Sequence, residues 1–290
     1  MFTFRNNKML RTLKCDLSCS LANRGFVCAI IVTAVLCFST EVWSDHLNGK
    51  TYSVFEAMFT LDRDFMSSQI DFNPAIIARK ALSGYSAMAL PVTAAFPFVF
   101  AFISERNSGN MRLVISRMGR LKYYLSKFIS AIFCGGLCTM LGVIFFVILL
   151  YILFPNTQSP QIIAEYLPNG VYITIAKKAL SAFVYGAASV LPAFFLCAFC
   201  SNLYIILCVP FLLKFISETL LSDIQTNAVA AGEYDIFDRT LPFTPSSVSA
   251  LFEIEVNSIF AKIIVVNVLF AAAIFVGFAV IMEKRADKGC

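Results

Sequence analysis

Lys214 and Glu218 are the residues of this sequence whose type and spacing most directly invite a chemical role. They lie one helical turn apart inside an apolar run. Positions i and i+4 share a helix face, so the two can form an ion pair, and placement toward the outer end of the run lets both side chains snorkel. A buried charge in a membrane helix marks either a translocation path or subunit interface, or a structural pair. Both readings stay open from the sequence. Cys197 and Cys200 form a C-x-x-C spacing, but no second pair or histidine cluster accompanies them, and with Cys28, Cys37, Cys134, Cys138 and Cys208 they read as small apolar packing residues. Gly49, Lys50 and Thr51 give the ending of a phosphate-binding loop. Ser44 stands where that motif needs its first glycine, and no strand precedes it, so nucleotide binding by this chain is not expected. Asp62, Asp64 and Asp71 read as a solvated acidic group, and His46 is the sole histidine. These counts give metal and imidazole chemistry, and membrane enzymes built on it, little to work with.

The elements that must position these residues follow from composition. Of 290 residues 59% are hydrophobic and 14% charged, with thirty Phe against one Trp, and the mean hydropathy is +0.77. Such values lie outside soluble averages and point to a lipid solvent. A helix rises ~1.5 Å per residue, so about 20 apolar residues cross a ~30 Å hydrocarbon core. Six stretches meet that length, over residues 26–43, 85–103, 128–154, 179–200, 203–221 and 259–282. The expected fold is an all-α membrane protein with six transmembrane helices in a single domain spanning residues 1–290. The first run is read as a retained span ending at an interfacial Trp43 rather than as a signal peptide, because its basic lead is too long.

Flanking charges set the orientation. Arg5, Lys8, Arg11, Lys14 and Arg24 face only Asp16 in the lead segment, the connection after the second span is rich in Arg and Lys, and Lys284, Arg285 and Lys288 occupy the tail. The connections after the first and fifth spans are acid-rich. By the positive-inside rule both termini are cytoplasmic, in the cell membrane, and Lys177 and Lys178 before the fourth span are mild exceptions. Leu10, Leu13, Leu17 and Leu21 recur at helical spacing among bases, which predicts an interfacial helix within residues 1–24. Pro91, Pro97 and Pro192 kink spans and free backbone carbonyls. The net charge of +5 is too small to suggest nucleic acid as a partner.

The segment 104–127 is the most informative. Glu105 closes the second span, Gly109 follows four residues later, then come a short amphipathic stretch and Arg120, Tyr124 and Lys127 leading into the third span. Leu113, Val114 and Ile115 offer an apolar ridge, flanked by Arg112, Arg117, Arg120 and Lys122, which suit acidic groups on a partner or lipid phosphates; a basic loop lying on lipid needs no partner. The arrangement resembles the permease subunits of ABC-2 type transporters. That resemblance implies a coupling helix docked in a separate ATPase subunit, with Glu105, Gly109, Leu113, Ser116, Arg120, Tyr124 and Lys127 at matching positions. Family members often carry Pro after the Ser, where this chain has Arg117.

The resemblance further implies ATP bound by the partner subunit, no cofactor in this chain, a second permease as homo- or heterodimer, and short helices in the external segment 222–258 that dip into the outer leaflet. An ordinary surface loop there is equally compatible with the sequence. The expected function is ATPase-driven export of a hydrophobic or amphipathic substrate such as a drug or peptide. The alternative is a non-transporting sensor, scaffold or immunity protein.

Overall fold

A computed structural model describes residues 8–45, 49–154, 163, 165–254 and 257–287. Arg5, His46 and Lys288, used above, lie outside these residues. The described chain begins with α1 (Lys8–Leu21) and α2 (Arg24–Cys37), continues through a hairpin of β1 (Glu41–Asp45) and β2 (Lys50–Ser53), and then makes three short helices, α3 (Val54–Thr60), α4 (Arg63–Ser68) and α5 (Pro74–Lys80). The long helices follow: α6 (Tyr85–Asn107), a short α7 (Asn110–Met118), α8 (Arg120–Leu153), α9 (Val171–Ser189) with α10 (Leu191–Leu196), and α11 (Leu203–Ala230). After α12 (Tyr234–Thr240) and two 3-10 turns, Leu241–Phe243 and Pro245–Glu253, α13 (Asn257–Asp287) closes the chain.

Among the described residues five helices are long and apolar enough to cross a membrane: α6, α8, the α9–α10 pair, α11 and α13. A sixth span is reached if α1 and α2, bent by 59° at their junction, count as one. The chain is therefore a multi-pass helical membrane protein. Asn23 makes the junction: its side chain accepts from Gly25 N at 3.1 Å and caps α2. The first span differs from the sequence expectation. α2 ends at Cys37 after 14 residues, about 21 Å of helix, and Trp43 belongs to β1, where it packs on Tyr52 and Phe65 with ring centroids 5.6 and 5.4 Å away. Ser39, Thr40 and Glu41 separate the apolar helix from Val42 and Trp43, so the expected span ran past the helix end into a strand. α1 lies along α8 and α6, with Leu13, Leu17 and Leu21 half-buried.

At 34 residues α8 is ~51 Å long, well beyond a ~30 Å core, and it is the central post against which α1, α2, α6 and α9 pack. Small residues bring α9 close to it: Gly135 faces Gly186, Gly136 faces Phe183, and Thr139 Oγ1 donates to Ala182 O at 2.7 Å. α9 breaks at Val190 and Pro192, so the fourth run is two helices meeting at a bend.

Two cores result. One, toward the hairpin, gathers Phe38, Phe72, Ile77, Phe146 and Leu251. The other, toward α1 and α7, gathers Phe98, Phe102, Tyr123, Phe194 and Phe278, with the Phe194 and Phe278 rings 4.2 Å apart. Cys37, Cys134, Cys138 and Cys197 are buried in these cores, whereas Cys28 and Cys208 are exposed on helix faces. The segment after α11 is no simple loop: its 3-10 turn Pro245–Glu253 packs along α9 and buries Ser247, Val248, Ser249 and Leu251.

Candidate functional site

A first region that brings polar side chains together is the base of the bundle where α1, α6, α7 and α8 meet. Gly109 (φ 73°) and Gly119 (φ 89°) bracket α7 in left-handed conformations that an L side chain rarely adopts. A Cβ at either glycine would touch nothing within 4 Å, so the backbone turn alone accounts for them. These turns set α7 across the ends of α6 and α8. Met111, Val114, Ile115 and Met118 face the core, while Arg112, Leu113, Ser116 and Arg117 face outward, Leu113 at 59% exposure. The expected apolar ridge is thus corrected: helical periodicity turns Val114 and Ile115 inward and leaves Leu113 as the apolar residue on the outer face.

The residues matched to a docking surface also divide. Arg112, Leu113, Arg117 and Arg120 are exposed, but Glu105, Tyr124 and Lys127 turn into the protein. Lys127 Nζ donates to Asp16 Oδ1 at 2.7 Å and also pairs with Glu105. Ser126 Oγ donates to Asp16 Oδ2 at 2.8 Å, and Tyr123 OH donates to Glu105 Oε1 at 3.1 Å. One cation between two carboxylates therefore ties α1 to the end of α6 and the start of α8. Beside it, Arg106 Nη1 donates to Cys197 O and Cys200 O at 3.0 and 3.2 Å, and Arg285 Nη2 donates to Phe199 O at 2.9 Å. The turn between α10 and α11 is held by guanidinium groups from two other spans.

The second region is an open-sided cavity of about 770 Å³ lined by α6, α9, α10, α11, α13 and the 3-10 turns. Its wall is largely apolar, and prolines recur in it: Pro91, Pro192, Pro210, Pro242 and Pro245. Pro91 explains its polar corner. Lacking an N–H, it leaves the carbonyl four residues earlier without its helical donor. That carbonyl, Ala87 O, is met by Tyr185 OH and by Lys214 Nζ, each at 2.6 Å. Pro97 does the same to Thr93 O, which Cys138 Sγ approaches at 3.8 Å.

Lys214 does not pair with Glu218, contrary to the i and i+4 expectation. It is 9% exposed, its Nζ lies 3.9 Å from the Tyr185 ring centroid, and its hydrogen bond goes to α6. Glu218 Oε2 instead accepts from Ser246 N at 3.1 Å. The lysine also sits mid-helix rather than at an end, because α11 runs on to Ala230. Its burial costs about 2.5–3.5 kcal/mol on insertion scales, which the carbonyl and the ring face offset.

Lys178 is a further charge that the sequence reading placed outside a span. It is 4% exposed within α9, 3.4 Å from Glu253 Oε1 and 3.3 Å from Ser249 O. Glu253 also meets Arg79 at 3.6 Å. These contacts pin the Pro245–Glu253 turn between α5 and α9. Lys50, of the near-miss phosphate loop, is in β2, over the Tyr52 ring at 4.7 Å; contrary to the sequence expectation a strand, β1, does precede it, but Lys50 and Thr51 continue as the second strand of a hairpin rather than opening a helix. Among the described residues no group of three or more His, Cys, Asp or Glu is placed to hold a metal ion. Neither a protein-family model nor a curated protein matches the chain.

Proposed function

We propose that this chain is the membrane-spanning permease subunit of an ABC-2 type transporter, working with a second permease subunit and with separate ATPase subunits that bind and hydrolyse ATP. The observation that carries this reading is α7. It is a short helix between two spans, anchored on one face by Met111, Val114, Ile115 and Met118 and presenting Arg112, Leu113, Ser116 and Arg117 on the other. A push on such a helix reaches α6 and α8 directly, because it joins their ends and sits on their shared core. The Asp16, Lys127 and Glu105 group next to it makes those ends move with α1 as one piece.

The basic residues support a cytoplasmic placement for this end. Arg11, Lys14, Arg112, Arg117, Lys122, Lys284 and Arg285 belong to α1, α7, the start of α8 and the end of α13, which meet there. On the positive-inside rule both termini then face the cytoplasm, α1 lies at the interface, and the cell membrane is the site of action. The chain supplies the path, and the cavity flanked by α11 and α13 is the place for a cargo, an export substrate in this reading. ATP bound by the partner would act only through α7.

Co-purification in mild detergent with ATPases encoded by neighbouring genes tests this reading. The wild-type chain is expected to retain a stoichiometric ATPase, and the Arg112→Glu, Leu113→Glu double variant is expected to lose it while keeping its elution profile. If no ATPase is retained by folded wild-type protein, the chain is a stand-alone membrane protein such as a sensor, scaffold or immunity protein.

A further inference from the structure

The cavity has a chemistry more specific than apolar. Its volume of about 770 Å³ falls within the ~300–1,000 Å³ of small-molecule clefts. Long apolar walls come from α11 and α13, through Leu213, Val266, Phe270 and Ile274. Lys214 is the charged side chain in its lining, and no carboxylate lines it among the described residues. Glu218, one turn on, is outside the lining and holds the Ser246 amide, acting on the ammonium only at longer range than a direct ion pair.

An ammonium has three N–H donors, of which Ala87 O takes one. No further hydrogen bond from Lys214 is made within the described residues. Ser217 and Asn267 add polar groups to the lining. The cavity is thus a greasy slot with one cationic end, and the two helices that flank it, α11 and α13, are the spans least covered by protein, with 22% and 17% of their apolar windows buried.

We propose that this cavity binds a single-chain amphiphile with one anionic head group, its carboxylate or phosphate on Lys214 and its hydrocarbon chain along α11 and α13. A neutral chain would leave the buried ammonium with only the Glu218 carboxylate, which lies outside the lining and is engaged by the Ser246 amide, and a cationic head would meet a like charge in a low dielectric. The anion completes the site. This names the cargo class of the transport reading and rests on that reading for the cargo role, but binding itself requires no ATPase.

The test uses purified full-length protein in dodecyl maltoside and radiolabelled dodecanoate, with dodecyl phosphate, dodecanol and dodecylamine as competitors. Saturable binding is expected, displaced by unlabelled dodecanoate or dodecyl phosphate at concentrations at least tenfold below those needed for dodecanol or dodecylamine. Displacement by dodecanoate alone assigns a carboxylate head, and displacement by both assigns anionic heads in general. Lys214→Met is expected to weaken binding at least tenfold and Lys214→Arg to retain it. Ala273→Phe, which fills the slot without touching the lysine, is expected to abolish binding and carries the test if Lys214→Met fails to fold. Dodecanol competing as well as dodecanoate, or unchanged binding in folded Lys214→Met and Ala273→Phe proteins, overturns the proposal. Loss of dodecanoate binding with ATPase capture intact refutes the ligand and spares the permease. The reverse refutes the permease and leaves the site.

Discussion

Replacing Lys127 by Met is expected to lower the stability of the folded protein by about 3–5 kcal/mol, the usual cost of removing one partner from a buried ion pair. Lys127 is the cation of a three-helix group, its side chain 5% exposed, with Asp16 at 12% and Glu105 at 21%. Without it two carboxylates face each other in a poorly hydrated space, and Ser126 and Tyr123 can satisfy only part of their acceptor capacity. The destabilisation comes from what is left unpaired rather than from the bond that is lost. Neutralising the acids at the same time, as Lys127→Met with Asp16→Asn and Glu105→Gln, is therefore expected to recover most of the loss. Unfolding midpoints in detergent would show this, and a single variant as stable as wild type would contradict the buried pairing.

A second large effect is expected at the contact between α8 and α9. A Cβ on Gly186 would stand 2.0 Å from Thr139 Oγ1 and 2.5 Å from Gly135 O. The second of these is backbone and cannot rotate away. Gly186→Ala must separate the helices and break the hydrogen bond from Thr139 to Ala182 O, at a cost of about 1–3 kcal/mol for overpacking. Gly277→Ala is the instructive comparison, because its nearest neighbour is the edge of the Phe195 ring at 2.9 Å, a side chain that can shift. The Gly186 variant is expected to lose clearly more stability than the Gly277 variant in the same assay. Equal losses would mean that α8 and α9 do not approach through Gly135 and Gly186.

The spans were legible because lipid imposes a length on apolar sequence, and α6, α8, the α9–α10 pair, α11 and α13 all carry that signature. Hydropathy was blind where apolarity served another purpose: Val42 and Trp43 lie beyond Ser39, Thr40 and Glu41 in a hairpin strand, where Trp43 is paired with Tyr52. Lys178 misled in the opposite sense, since a lysine ahead of an apolar stretch reads as a boundary until Glu253 is seen beside it.

Site residues divide by sequence separation. The short-range features of segment 104–127, the two glycines and the amphipathic α7, could be read from spacing. Asp16 could not, because its partners Ser126 and Lys127 lie 110 and 111 residues away and nothing local announces them. Lys214 shows the intermediate case. Pro91 announces an unanswered carbonyl at Ala87, a signal present in the sequence, but only packing reveals that Lys214 and Tyr185 answer it rather than Glu218 taking the lysine.

We propose that an ATPase engages this chain at the outer face of α7. A photo-crosslinking residue placed at Leu113 in cells, with the same residue at Ile152, an exposed position near the far end of α8, tests it most directly. A crosslink is expected from position 113 to a nucleotide-binding ATPase subunit, absent from position 152 and lost when Arg112 is replaced by Glu. Crosslinks from position 113 to lipid alone, in protein that is folded and membrane-inserted, would contradict it.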